Sequence, residues 1–168
     1  SSETNQASSI ILYYCTAEDV AAIQARMNLL AERTNALCQT DMEKAFYVHD
    51  WLIQNIAYDT ENVSEKLPDD YNAYGALVKG TAVCSGYAKA YGIILNKLGI
   101  PCTLATSKDL NHAWDMVQLD GNWYQVDCTW DDPISPTFDS GSTDKLGVCY
   151  HNNLLCTTEK INTEHRDD

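Results

Sequence analysis

The stretch VCSGYAKAYG, residues 83–92, places a cysteine at the start of a predicted helix. The apolar residues that follow Cys84 recur every three or four positions, which is the period of one buried helical face. Gly99, just before Ile100-Pro101, is suited to cap the C-terminus of this helix. The pattern therefore predicts a buried helix that begins at Cys84.

Two amphipathic helices are predicted upstream of this stretch. The first covers residues 18–38, where apolar residues keep a helical period. The second begins with a capping box, in which Thr40 is followed three residues later by Glu43. Its apolar face continues as far as Tyr58-Asp59, where we expect the helix to end.

The remaining polar segments predict loops and short elements. ENVSEKLPDD, residues 61–70, is charged and aperiodic, which is typical of a surface loop. A short helix is expected at about 72–78 and should stop at Gly80. The tail from Asp131 is rich in Pro, Ser, Asp and Gly, so we expect mostly loop, with one short strand or helical turn near 146–155.

After Pro101 the period changes from helix to strand. Residues 102–107, CTLATS, predict one strand, and residues 112–130 predict a hairpin that turns at Asp120-Gly121. Helices followed by a strand meander indicate the α+β class, with the N-terminal helices packed on one face of an antiparallel sheet.

The hairpin register predicts a polar site. A two-residue turn places His112 and Asp127 on the same face as diagonal neighbours, with Cα atoms roughly 7 to 8 Å apart. Trp114 and Trp123 project from that face and are candidates for the walls of a substrate groove. A three-residue turn would move Asp127 to the opposite face, because a slip of one residue inverts every side chain.

The chemistry of these residues points to nucleophilic catalysis. A thiol at a helix N-terminus is exposed to the positive end of the dipole, which can lower its pKa from about 8.5 to roughly 3.5 to 7.5. Cys84 would attack a carbonyl, its backbone N–H would bind the oxyanion, and Gly86 would leave the sulfur accessible. His112 would transfer the proton and Asp127 would orient the ring, as in acyl transfer.

Three motifs resemble the bacterial transglutaminase-like domains of the papain-like superfamily, in order and spacing, from about residue 43 to 133. These are VCSGYAKAYGIILNKLGIP, NHAWDMVQLDGNWYQVDCTWDDP and, less strongly, HDWLIQNIAYDT. The resemblance implies a papain-like fold with Cys84 as nucleophile, His112 as base and Asp127 as orienting acid. Asp115 stands where Asn is commoner, which leaves the triad intact and bears on the substrate groove. The calcium-dependent animal members carry metal loops that have no counterpart here, so we expect no calcium requirement. We also expect no cofactor and no metal at the site residues.

Other aromatic and histidine residues are candidates with simpler alternatives. Tyr74 is a candidate second oxyanion donor, although a packed tyrosine is the commoner outcome. His49 lies on the apolar face of the second helix and is expected to be a core histidine. We expect Trp130 in the core, and His151 and His165 on the surface.

Composition limits the partners. The 168 residues include 11 Lys and Arg against 24 Asp and Glu, a net charge of −13, which disfavours nucleic acid. No apolar run approaches the roughly 18 to 20 residues of a membrane span. We expect a single domain over 16–168 that acts on a protein or peptide. Residues 1–15 read as a polar tether of a secreted or cell-surface protein, with lipid anchoring through a removed N-terminal segment as one form of this.

The seven cysteines are open to two interpretations. An odd number in a secreted protein indicates disulfides plus one free thiol, with Cys149 and Cys156 as the most local pairing. In a reducing environment all seven would be free. No CxxC pair occurs among them, so the spacing disfavours a zinc ribbon.

The sequence therefore predicts cysteine-dependent acyl transfer on amide or peptide bonds through a thioester. Hydrolysis, as in a peptidase, amidase or deamidase, is favoured over attack by an amine, as in a transglutaminase. The reason is that one small domain offers little surface for orienting two protein substrates. The alternative is a non-catalytic module that binds peptide or glycan as part of a surface protein.

Overall fold

A computed structural model describes residues 16–60, 68–133 and 149–164. The predicted tether at 1–15, most of the loop at 61–70, residues 134–148 of the tail, and His165 lie outside these ranges. The elements below are those of the described residues.

Two long helices begin the fold. Helix α1 is Ala17–Leu37 and helix α2 is Asp41–Asn55. The predicted capping box at Thr40 and Glu43 is confirmed, since the hydroxyl accepts from the Glu43 N–H and the carboxylate accepts from the Thr40 N–H.

Helix α2 ends earlier than the apolar pattern predicts. Ala57–Tyr58 forms a short strand, β1, which pairs in parallel with β2, Thr81–Ala82. The Ala57 N–H donates to the Gly80 carbonyl at 2.8 Å. This tertiary pairing takes the backbone out of the helix, which a local sequence period cannot report.

The segment before Cys84 is more irregular than predicted. Pro68–Tyr71 is a 3₁₀ turn, and Gly75–Lys79 is a single π-helical turn in place of the short helix expected at 72–78. The π turn ends at Gly80, as predicted, with φ of 76°. That left-handed conformation favours glycine.

Helix α3, Cys84–Lys97, is the centre of the molecule and begins at the predicted residue. It packs against α1 and α2 on one side and against the sheet on the other. Tyr87 and Tyr91 are fully buried. The Tyr91 hydroxyl donates to the Ala45 carbonyl at 3.2 Å, which ties α3 to α2 without an unpaired buried polar group.

Three antiparallel strands follow in sequence order. They are β3, Cys102–Ser107; β4, His112–Leu119; and β5, Asn122–Val126. The predicted two-residue turn is confirmed, because Leu119 pairs with Asn122. Asp120 and Gly121 both have positive φ, 49° and 78°, as a type I′ turn requires.

The second hairpin strand stops at Val126, four residues short of the prediction. Asp127 becomes the N-cap of a short helix, α4, Cys128–Asp131, where its Oδ1 accepts from the Trp130 N–H at 3.1 Å. A polar residue that can cap a helix thus ends the strand. The short elements of the tail lie after the stretch where one was expected: Cys156 forms a bridge with Gln125, and helix α5 is Thr158–Glu164.

The α+β class and the packing of helices on an antiparallel meander are thus confirmed. No helix within the described ranges has an apolar stretch long enough to cross a membrane. The six cysteines outside the first fifteen residues are all free thiols, so the local pairing of Cys149 with Cys156 does not form.

Candidate active site

Three sequence-predicted residues meet where α3, β4 and the start of α4 converge. Cys84 is the first residue of α3, and His112 is the first residue of β4. The His112 Nε2 lies 2.5 Å from Oδ2 of Asp127, and the ring also hydrogen-bonds the Cys84 thiol. Because Nε2 is used by the carboxylate, Nδ1 is the ring atom left for the sulfur. The structure thus brings the three predicted residues into contact with one another.

The surroundings of Cys84 favour its thiolate. Burial of the sulfur opposes ionisation, but the hydrogen bond and charge of His112 and the backbone N–H groups of Ala113 and Ser85 outweigh it. The pKa of the Cys84 thiol is therefore lowered. The hydrogen bond from the Ser85 N–H, which helps to lower the pKa of Cys84, is expected at a helix N-terminus, because the first N–H groups of a helix have no intrahelical partner.

The surroundings of His112 favour its imidazolium. Burial opposes the charged ring, but the hydrogen bonds and charges of Asp127 and Cys84 raise the pKa of His112 to about 9. The opposite shifts of the two groups mean that thiolate and imidazolium stabilise each other. A proton shared in this way is the resting arrangement that a nucleophilic cysteine needs.

Two tryptophans stack on the His112 ring. The ring centroids lie 5.7 Å from Trp114, at 22° between planes, and 5.5 Å from Trp130, at 30°. Trp114 is held in place by its Nε1–H, which donates to Gln125 Oε1 at 2.6 Å. Trp114 thus contacts the predicted base, and its role as a groove wall stays a prediction. The expectation of Trp130 in the core is wrong, because Trp130 is only half-buried and lines a cavity. Asp127, three residues before Trp130, caps α4, and this short helix turns Trp130 towards the histidine.

Two other predicted groove residues do not reach Cys84. The Tyr74 hydroxyl hydrogen-bonds the Asp19 carboxylate at the start of α1, and Lys79 Nζ lies 5.6 Å from its ring centroid. Tyr74 is thus the packed tyrosine of the alternative interpretation. Trp123 shares the sheet face of His112 but pairs with Gln118 near the hairpin tip and is 43% exposed. The six residue steps from 112 to 118 separate it from the site by roughly 20 Å of strand.

An open cleft surrounds the sulfur and the imidazole. It consists of a cavity of about 450 Å³ that includes Cys84 and a second of about 510 Å³ that includes Trp130. Tyr58 and His112 line both cavities, so they stand at the boundary between the two halves. The two cavities thus adjoin each other at the histidine.

The backbone N–H of Cys84 is a candidate oxyanion donor. It has no hydrogen-bond partner among the residues that the structure describes, and it belongs to the nucleophile itself. The structure offers no role for Tyr74 beside it.

Gly86 and Asp115 have other roles than expected. An added Cβ at Gly86 would lie 2.5 Å from the Asp70 carbonyl oxygen, so this glycine allows the 3₁₀ turn to pack on α3 and does not open a path to the sulfur. Asp115 is 2% exposed on the core face of β4, where Cys102 Sγ lies 3.7 Å from its Oδ1. Burial raises the pKa of Asp115 well above its usual range. It does not face the groove.

Sequence reasoning missed Tyr58 and Trp130. Tyr58 was assigned to the end of a helix, and only its strand pairing with Ala82 turns it towards the cleft. Trp130 was indistinguishable from a core aromatic. The one available signal was its position three residues after Asp127, which is the spacing of a helix cap.

Comparisons with known proteins identify the family and agree with the fold. The family model Transglut_core, the transglutaminase-like superfamily, matches residues 28–128. The chain is 24% identical over 135 residues to mouse kyphoscoliosis peptidase, covering 72% of this chain and 20% of that protein. It is 26% identical over 118 residues to the human kyphoscoliosis peptidase, covering 62% and 18%. The chain thus spans about a fifth of the length of these curated relatives. Among solved structures, the crystal structure of a TGase matches with a TM-score of 0.59 and 17% identity over 85% of this chain and 40% of that one, which is a likeness of fold.

Proposed function

The chain belongs to the transglutaminase-like superfamily, and we propose that it catalyses acyl transfer from amide or peptide bonds through a thioester on Cys84. The observation that carries this proposal is that the His112 imidazole hydrogen-bonds both the Cys84 thiol and the Asp127 carboxylate. We assign Cys84 as nucleophile, His112 as acid and base, and Asp127 as the residue that orients the ring.

The steps follow from this arrangement. The Cys84 thiolate attacks the carbonyl carbon, a C–S bond forms, and the oxyanion is bound by the Cys84 N–H. The C–N bond then breaks, and the His112 imidazolium gives its proton to the leaving amine. Water attacks the thioester while His112 accepts one of its protons, which releases the acid and restores the thiolate.

Hydrolysis is the outcome we favour over amine transfer. The cleft is open and small, and it lies on a domain that offers little surface for docking a second protein. The curated relatives are named as peptidases, which supports the proposal that this chain cleaves peptide bonds. We propose a protein or peptide as the substrate and a secreted or cell-surface location.

A labelling experiment separates an enzyme from a binding module. Iodoacetamide at neutral pH should modify Cys84 rapidly and selectively, and His112→Ala should abolish the excess rate, because the imidazolium stabilises the thiolate. If Cys84 reacts no faster than an ordinary thiol, the enzyme is ruled out and the non-catalytic binding module remains.

A second experiment separates hydrolysis from transglutamination. The protein is incubated with a glutamine peptide and a fluorescent primary amine, and ammonia release, amine incorporation and backbone cleavage are followed together. We expect ammonia release or cleavage without incorporation. Amine incorporation that is lost in Cys84→Ser would instead assign a crosslinking activity.

A further inference from the structure

A second cluster of titratable residues joins α2 to the C-terminal segment. His49 Nδ1 lies 2.9 Å from Asp50 Oδ1, and His151 Nε2 lies 2.8 Å from the same oxygen. The two nitrogens and the oxygen are all within 4.8 Å of one another. As the sequence predicts, His49 is fully buried and His151 is exposed. The cluster has no part in the proposed acyl transfer.

The His49 ring is fixed from its far side. Its Nε2 lies 3.1 Å from Oδ2 of Asp131, which is itself fully buried. The Asp131 carboxylate also accepts from the Asn153 backbone N–H at 2.9 Å and from the Asn153 side chain at 3.1 Å. A buried carboxylate that holds one ring nitrogen and points the other at further ligands is the usual outer support of a metal-binding histidine.

We propose that His49 Nδ1, Asp50 Oδ1 and His151 Nε2 bind one divalent first-row transition metal ion, of which Zn²⁺ is the representative. Two imidazoles and one carboxylate are ligands that suit Zn²⁺, whereas Ca²⁺ and Mg²⁺ select oxygen ligands. Tetrahedral bonds of 2.0–2.1 Å place ligand atoms about 3.3 Å apart. The two present N–O contacts, at 2.8 and 2.9 Å, therefore need to open by about 0.5 Å, and the ligand atoms of the two histidines, which lie within 4.8 Å, need to reach the same separation.

Charge and access fit this ion. Asp50 and Asp131 supply two carboxylates around neutral imidazoles, which matches the charge of a divalent cation. The side chains of Asp50 and His151 are 34% and 45% exposed, so an ion can enter and water can take the fourth position. In the metal-free cluster, protons on the imidazoles occupy the ion's place, because an ionised carboxylate only accepts hydrogen bonds.

The ion would clasp the C-terminal segment to the body of the domain. His151 follows Tyr150, which lines the Trp130 half of the cleft. The Tyr150 N–H already donates to the Asp131 carbonyl at 3.1 Å. A metal bond to the adjacent residue adds a second tie, so the metal would hold one wall of the cleft in place.

Zn²⁺ and Co²⁺ titrations of the full chain test this site. All proteins carry Cys84→Ser, so that the reactive thiol does not contribute. Asp50→Asn and His151→Ala remove ligands with little loss of buried structure, since both side chains are partly exposed. The matched controls are Asp41→Asn, an exposed carboxylate on the same helix, and Asn152→Ala, the exposed neighbour of His151.

Calorimetry with Zn²⁺ should give one ion per chain, and the visible spectrum of the Co²⁺ form should be tetrahedral without a sulfur-to-cobalt charge-transfer band. We expect each ligand variant to weaken Zn²⁺ affinity at least about tenfold and each control less than about twofold, since loss of an outer-shell partner alone costs 10- to 100-fold. Absence of binding, or an affinity that either ligand variant leaves unchanged, would overturn the proposal. None of these readouts requires turnover, so a failure here is separate from a failure of the proposed enzyme activity.

Discussion

His112 Nε2 and Asp127 Oδ2 are joined at 2.5 Å although the strand that carries Asp127 has ended one residue earlier. The same carboxylate uses its other oxygen to cap α4. One side chain thus orients the proposed catalytic ring and starts the helix that carries Trp130, which stacks on that ring. The base and its surroundings are therefore built by a single turn of the chain.

Asp127→Asn tests the charge of this contact. The amide oxygen can still cap α4, but it no longer stabilises the imidazolium, and its NH₂ group can force the wrong tautomer. We expect turnover to fall by about 10² to 10⁴, by analogy with the amide replacement in a serine-protease triad. Steady-state kinetics of amide hydrolysis give the result. Asp120→Asn, at the hairpin tip, is the control and should keep wild-type turnover.

The pH dependence of turnover and of Cys84 alkylation tests the thiolate–imidazolium pair. As pH rises, Cys84 loses its proton below its ordinary pKa, while His112 keeps its proton until about pH 9. The thiolate–imidazolium pair is thus lost on the acid side when the thiol is protonated and on the alkaline side when the ring is deprotonated. We expect a bell-shaped kcat/KM profile with its alkaline limb near pH 9. If the rate of alkylation by iodoacetamide rose only as the pH passed about 8.5, as it does for an ordinary thiol, the pairing would be contradicted.

Trp130→Ala tests the stacking on His112. Loss of an aromatic face beside the imidazolium removes about 0.5 to 2 kcal/mol of cation–π stabilisation. Since 1.36 kcal/mol corresponds to one pKa unit, the pKa of His112 should fall by about 0.4 to 1.5, and the alkaline limb should move to lower pH. Trp123→Ala removes the same side chain near the hairpin tip and should leave the profile unchanged. An equal displacement in both variants would refute the specific role of Trp130.

Gly86→Ala tests the packing under the nucleophile. Its Cβ would meet the Asp70 carbonyl oxygen at 2.5 Å and the Ala82 Cβ at 2.7 Å. We expect the free energy of unfolding to fall by about 1 to 3 kcal/mol, the usual cost of overpacking. Urea denaturation provides the measurement. Gly92→Ala, on the same helix, meets nothing closer than 3.4 Å and should be neutral or stabilising, because alanine favours the helix over glycine by up to about 1 kcal/mol.

The sequence predicted those parts of the site that depend on local rules. The start of α3 at Cys84 follows from helical periodicity, and the shared face of His112 and Asp127 follows from the two-residue turn at Asp120-Gly121. Those predictions held because periodicity and turn type act over a few residues. Tyr74 and Trp123 were chosen on the same local grounds, and both lie away from the sulfur because distance along a strand or the partner of a hydroxyl is a tertiary property.

Sequence alone therefore determined the α+β class, the helix that begins at the nucleophile and the hairpin register that faces the base towards its acid. Only the tertiary structure decided that Tyr58 and Trp130 line the cleft, that Asp115 is buried in the core, and that His151 meets His49 and Asp50. The physical reason is that capping, turn type and period are set by neighbouring residues. Contacts such as that of His151 with Asp50, across 101 positions, exist only after the chain has packed.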